Sequence, residues 1–250
     1  MCSLFRFSYH LFHLSAIIYI MPHKYNLAFY TYFYGSDDNP AFKIPHMPSL
    51  TYNCYYYTNN KTIIEHLKQT NWIGIYHDIP TTDDLIESCM VGKHIKTMPH
   101  EYNDLKNYDF LCFLDSKLAK ISETFVENII AKYFIEQNYA LLARKHWFVS
   151  NSIWIEYNES MKQHRYRLQE SRYKQYIHNQ LNNGLSDHVD HHCAGGFLIR
   201  NMKHNKINEI NNTWYKHIQE CGIQDQISFF FVKQLFHDII HPFSEIPFVQ

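Results

Sequence analysis

Three apolar runs in this 250-residue sequence end on polar groups that could do chemistry. The run from Tyr108 to Leu114 stops at Asp115-Ser116-Lys117, the run from Tyr25 passes Thr31 and stops at Gly35-Ser36-Asp37, and a third ends at Tyr57-Thr58-Asn59-Asn60. An acid closing a buried strand carries a desolvation cost unless it meets a partner, a ligand or a metal. Asp115 therefore reads either as a binding-site carboxylate or as a cap for the next turn or helix. Asp225 opens a segment in which Ile227 and Phe229 to Phe231 are deeply apolar. It suits a general base that takes a proton from a hydroxyl, or a helix cap. Asp187 to Cys193 (DHVDHHC) gathers the residue types that bind zinc. Adjacent residues point apart, however, so a loop over the acceptor side of a cleft, carrying His191 and His192, is preferred to a metal site. Gln163 to Arg167 (QHRYR) reads as a solvated helix face or, less readily, an acceptor contact.

These groups need a frame, and the sequence predicts one. Strands are expected over Tyr25 to Tyr34, Asn53 to Thr58, Trp72 to Tyr76, Tyr108 to Asp115, Tyr139 to Ala143 and Gly195 to Arg200. Helices are expected over Lys61 to Gln69, from a Thr82 cap to Thr97, over Ile121 to Glu136 with Ser122 at its start, and through most of Ser152 to Asn182. Two more run from Lys206 to Glu220 and from Asp225 to Phe236. Strands alternating with helices argue for an α/β sheet covered on both faces. Ligands of such sheets sit beyond the carboxyl ends of the strands. Tyr108 to Asp115, nearly continuous in apolar residues, reads as the central strand.

Composition narrows the classes. Hydrophobic residues make up 46% and charged residues 19%, which is globular. A formal net charge of -1 gives no basic field for nucleic acid, and with Gly 7 there is neither a Walker loop nor a GxGxxG fingerprint. The six cysteines form no CxxC and read as free thiols in a reducing compartment. Leu11 to Met21 is too short to span a bilayer. Residues 1–20 read as an N-terminal extension ahead of a natural start at Met21, with a signal peptide as the alternative. The expectation is one domain over 21–250 and a cytoplasmic location, with a secretory or Golgi-type one as the alternative. Low glycine beside abundant Asn, Ile, Lys and Tyr matches an AT-rich genome such as that of a large DNA virus.

Read in order, the chain resembles the plant mucilage-related glycosyltransferase-like family, which has bacterial and viral relatives. The resemblance rests on Tyr30-Thr31 to Gly35, Tyr57-Thr58-Asn59, Lys96 to Tyr102 (KTMPHEY), Tyr108 to Lys117, Glu156 in WIEYNE, Arg200 in FLIRN, and Asp225-Gln226 with Ser228 in IQDQISFFF. It spans Tyr25 to Phe231. It implies a GT-A type, Rossmann-like fold: a mixed, mainly parallel sheet with helices on both faces. It also implies transfer of a sugar from a nucleotide-diphosphate donor to a hydroxyl of a glycan or glycoprotein acceptor. By the same resemblance Thr31, Gly35, Thr58, Lys96, His100, Asp115, Ser116, Lys117 and Arg200 would hold the nucleotide sugar. Asp225 and Glu156 would be catalytic, Gln226 would join His191 and His192 on the acceptor side, and Asp115 would be the ligand of any manganese or magnesium ion.

The departures from the family pattern are informative. Asp115-Ser116-Lys117 has one acid where a DxD has two, and Gln224 stands where arginine is common. Without a metal a leaving diphosphate still needs positive charge. Lys117 is the first candidate for it, followed by Lys93, Lys96, His100 and Arg200. The donor-site residues are expected to line one cleft. A non-catalytic nucleotide-sugar or sugar-binding protein and a metal-dependent hydrolase are the competing readings.

Overall fold

The computed structural model describes residues 24–45, 50–115, 121–149 and 151–245. Residues 1–20, Ser116 and Lys117 lie outside the described residues. Seven strands, β1 (Leu27–Phe33), β2 (Asn53–Thr58), β3 (Trp72–Tyr76), β4 (Phe110–Leu114), β5 (Leu141–Lys145), β6 (Cys193–Asn201) and β7 (Ile240–Phe243), form one sheet. Their order is β3-β2-β1-β4-β6-β5-β7. Among the described residues only β6 runs against its neighbours; the β1–β2, β1–β4, β2–β3 and β5–β7 pairs are parallel. This is a mixed, mainly parallel, Rossmann-like sheet of the GT-A type.

The central position of β4 follows from its sequence. All five of its residues, FLCFL, are buried, as a strand covered on both faces requires. Helices α1 (Lys61–Leu67) and α3 (Glu123–Ile129) lie over one face, where Phe29, Tyr56, Cys112 and Ile199 pack with Ile63, Val126 and Ile129. Over the other face lie α2 (Leu85–Thr97), α7 (Ile207–Cys221) and α8 (Asp225–Leu235), with Ile95, Trp214, Ile218 and Phe229 packed on Tyr30, Leu111 and Leu198. A third apolar cluster joins α4 (Ile153–Ser160), α5 (His164–Arg167) and α6 (Glu170–Asn182) to α8.

Several sequence expectations need adjustment. Strands Asn53–Thr58 and Trp72–Tyr76 keep their predicted bounds. Asp84, not Thr82, caps α2: its side chain accepts from Ile86 N and Glu87 N, while the Thr82 hydroxyl accepts from Asp84 N. Ser122 does cap α3, accepting from Phe125 N at 3.2 Å, but the helix then widens into a π-helical turn over Ile130–Ile135. The predicted helical stretch from Ser152 to Asn182 is three helices, and β7 has no counterpart among the predicted strands. Cys54, Cys89, Cys112, Cys193 and Cys221 are free thiols. No helix of the described residues is long and apolar enough to cross a membrane.

Candidate functional site

The chain builds β1, β2 and β3 outward in one direction, then crosses back to place β4 on the other side of β1. The gap beyond the carboxyl ends of β1 and β4 is therefore the switch point where open α/β sheets take ligands. Asp115 stands there, half-buried, its N–H donating to Gly196 O at 2.8 Å. On the β1–β3 side of the same edge lies an open hollow of roughly 670 Å³, lined in part by Asp37, Asn59, Thr62, Tyr76 and Asp78. Asp115 is not among its lining residues. The turn after β1 is held by asparagines. Gly35, at φ 140, donates its N–H to Asn59 Oδ1 (3.0 Å), and its carbonyl accepts from Asn60 Nδ2 (3.1 Å). Thr58 is fully buried and accepts from Asn60 N at 3.0 Å.

Beyond β4 the edge is shaped by an irregularity in β6. Pairing with β5 jumps from Ala143↔Leu198 to Arg144↔Ala194, leaving residues 195–197 out of that ladder. Such bulges bend a strand and re-aim its neighbours. Here the bulge brings Gly195 onto α2 and α8: a Cβ at Gly195 would lie 2.8 Å from Lys96 Nζ and 3.3 Å from Asp225 Oδ1. Lys93 and Lys96, one helical turn apart on α2, both reach Asp225 Oδ2, Lys93 at 2.9 Å. The Lys96 ammonium also lies 5.1 Å from the Phe113 ring centre and 5.6 Å from that of Trp214.

Two cations share one buried carboxylate. Burial opposes ionisation of Asp225, but the charges of Lys93 and Lys96 and their hydrogen bonds outweigh it, holding the carboxyl at about 2. Burial, with Lys93 as a like-charged neighbour, pulls Lys96 down to about 8 despite its bond to Asp225. Lys93 stays fully cationic, because the attraction of Asp225 overcomes its own desolvation. A carboxyl held low by two ammonium groups is a weaker proton acceptor than an ordinary carboxylate. Asp225 does not cap α8; Gln224 is the N-cap and Asp225 the first helical residue.

Glu156, the other residue read as catalytic, is 2 % exposed and saturated with donors. Its Oε1 accepts from Ser160 Oγ (3.0 Å), Gln224 Nε2 (2.9 Å) and Gln226 Nε2 (3.2 Å). Its Oε2 meets His192 Nε2 at 3.1 Å and lies 3.9 Å from His146 Nε2. Burial acts to raise the Glu156 carboxyl, but the His192 bond, the two imidazoles and Ser160 together bring it below the ordinary range. Gln226 links the two clusters, since its Oε1 accepts from Gly195 N at 3.1 Å.

Other predicted donor-site residues do not reach this edge. Arg200 is fully buried; its guanidinium donates to Asn211 Oδ1 (3.0 Å), Tyr30 OH (2.8 Å) and Lys96 O (2.8 Å). It locks the end of α2 to β1 and α7, and is a structural fork, not a phosphate ligand. His100 sits beside it, its Nδ1 3.3 Å from Asn211 Nδ2. Thr31 is buried within β1, paired with Tyr56 of β2. Thus Lys96, Asp115 and Asp225 converge, whereas Thr31, His100 and Arg200 support them from within. The 187–193 stretch also divides: Asp187 and His188 pair at the surface at 2.7 Å, His191 is exposed, His192 faces Glu156 and Cys193 enters the core. Among the described residues no group of three His, Cys, Asp or Glu is placed to hold a metal ion. Sequence reasoning missed His146 and Gln224 as members of the Glu156 cluster. His146 follows the β5 run directly, a strand-end position of the kind used to pick out Asp115.

No family model matches the chain, and no curated protein matches it in sequence. Solved structures of similar shape include mouse xyloside xylosyltransferase 1, apo form, at 9% identity over 88% of this chain and 84% of that one, with a TM-score of 0.48. The apo WbbM bifunctional glycosyltransferase is 10% identical over 89% of this chain and 39% of its own, with a TM-score of 0.45. CMP:2-keto-3-deoxy-manno-octonic acid synthetase complexed with CTP is 12% identical over 88% of each chain, with a TM-score of 0.42.

Proposed function

We propose that the chain is a glycosyltransferase that uses a nucleotide-diphosphate sugar. The observation that carries this reading is the Lys93–Asp225–Lys96 cluster beside Gly195 and Asp115, at the switch point of a GT-A type sheet. A nucleotide fits the hollow over β1–β3 in size, which puts its diphosphate toward β4 and the lysine pair. When the glycosidic bond to the donor breaks, negative charge grows on the leaving diphosphate, and fixed cations stabilise it. Asp225 holds both ammonium groups in place with a single charge, and Asp115 is near enough to favour the charged form of Lys96 as well. Gly195 leaves the room that the Lys96 ammonium fills, and any side chain there would displace it. By the sequence resemblance Lys117, outside the described residues, would be a further cation for the donor.

A divalent metal fits this donor set poorly. Asp115 is the sole acid of its motif, and the Asp225 carboxylate is already committed to two ammonium groups. No step is therefore assigned to a metal. The reading is tested by donor hydrolysis and transfer over a panel of nucleotide sugars, with Lys93→Met and Lys96→Met alongside the wild type. Loss of turnover in both variants supports it; wild type that binds no nucleoside diphosphate refutes it. One observation favours a second reading, a nucleotide-sugar-binding protein without turnover: both oxygens of Glu156 are engaged, and Asp225 Oδ2 is held by two ammonium groups. Binding without hydrolysis or transfer in the same panel selects that reading.

A further inference from the structure

The turn that follows β5 exposes two aromatic rings, Trp147 at 66 % and Phe148 at 57 %. Its flanks are fixed. His146 donates its N–H to His192 O at 2.8 Å, and its Nδ1 accepts from Val149 N at 3.1 Å and Phe148 N at 3.4 Å. Val149 is fully buried. Trp147 stacks on the His146 ring, with centres 4.8 Å apart and planes at 21°. Phe148 meets the same ring edge-on at 4.4 Å, and the Arg144 guanidinium lies 5.3 Å from the centre of Trp147. Exposed rings on an anchored turn lose little freedom when something binds them.

The ledge is continuous with the candidate site. Because Nδ1 of His146 accepts from the backbone, its ring proton is on Nε2, the atom facing Glu156. Glu156 holds Gln226, and Gln226 holds Gly195 against Lys96. We propose that Trp147 and Phe148 form the acceptor subsite, a platform on which a saccharide ring stacks through its C–H face. This rests on the sugar-transfer reading above. A pyranose presents an apolar, weakly positive C–H face, which suits the negative face of an indole, while its hydroxyls meet Arg144 and exposed His191 at the rim. Two rings beside Arg144 and Lys145 make too small a patch for a stable contact between copies of the chain, which needs roughly 800 Å² on each side.

The test measures transfer and binding with Trp147→Ala, Phe148→Ala and the conservative Trp147→Phe. For a donor and acceptor found active with the wild type, each alanine variant should raise the acceptor KM about tenfold, with kcat within about threefold. Donor hydrolysis without acceptor should be unchanged, and Trp147→Phe should keep most of the acceptor affinity. An unchanged acceptor KM overturns the proposal while leaving the transferase reading intact. If the wild type turns over no donor, that reading fails, and the ledge is judged by binding to an array of neutral oligosaccharides. Binding by the wild type that Trp147→Ala abolishes supports the subsite. Absent or equal binding refutes it, as does a wild-type dimer in sedimentation that Trp147→Ala dissociates.

Discussion

Asp225 carries opposite consequences from its two lysine partners, and stability measurements separate them. Removing Asp225 leaves two buried ammonium groups facing each other, so Asp225→Asn should cost about 3–5 kcal/mol in urea unfolding. Lys96→Met keeps a balanced Lys93–Asp225 pair and places a chain of similar length against Phe113 and Trp214, so its effect should be near zero or slightly stabilising. A large loss in Lys96→Met would mean that the second cation is structurally required. The pH dependence has a definite sign. Asp225 is depressed from 3.8 to about 2, so its stabilisation is present above 3.8 and lost as pH falls through about 2. Lys96 is depressed from 10.5 to about 8, so the folded protein sheds this proton first and the group's burial penalty is relieved as pH rises above 8. Wild type should therefore gain stability relative to Lys96→Met between about pH 8 and 9.5. The family resemblance picked out Asp225, Glu156 and Lys96 but not their relations. An arginine in the apolar run GGFLIR reads equally well as a ligand group or a buried fork, and only the positions of Tyr30, Asn211 and the Lys96 carbonyl decide it.

At the scale of elements, α2 and β6 position the site, and each depends on one glycine. Gly92 of α2 lies directly on the Tyr32 ring of β1, closer than any side chain allows. Gly92→Ala should push the helix off the sheet, destabilising the protein by about 1–3 kcal/mol and displacing Lys93 and Lys96 with it. Gly195 differs, because its nearest neighbour is the far end of a lysine. Gly195→Ala should unfold at nearly the wild-type urea concentration yet lose most nucleoside diphosphate binding. Wild-type affinity in that variant would show that the bulge does not face the donor. Most elements were legible because their runs are long and end at turn residues, as Asn53–Thr58 does at Asn59-Asn60. β7 was not, since IHPF offers four residues, one of them proline, with no alternation to read. The bulge of β6 was equally hidden, because two glycines in a strand mark an irregularity without saying where it turns.

For the molecule as a whole, the sequence predicted the mainly parallel sheet that the strand order shows, and the lysine cluster lies against Gly195 of β6, next to the Gly196 carbonyl that pairs with Asp115 at the end of β4. The chain carries a net charge of only -1, so long-range attraction contributes little, and affinity for an anion must come from these local cations. A ligand that binds only the folded state stabilises it by about 2.7 kcal/mol at a hundredfold excess over its Kd. For a protein of this size that is a rise of about 5–10 °C in melting temperature. Nucleoside diphosphates should therefore raise the Tm of the wild type by this amount at neutral pH, and the corresponding nucleosides much less. Lys96 loses its proton near pH 8, so the rise should shrink between pH 7 and 9. Lys96→Met should show a small rise at both pH values, with its Tm in the absence of nucleotide close to that of the wild type. A chelator should leave the wild-type response intact. If the rise instead disappears with chelator and returns with manganese or magnesium, the cation at this site is a metal held at Asp115, and the lysine pair has only a structural role.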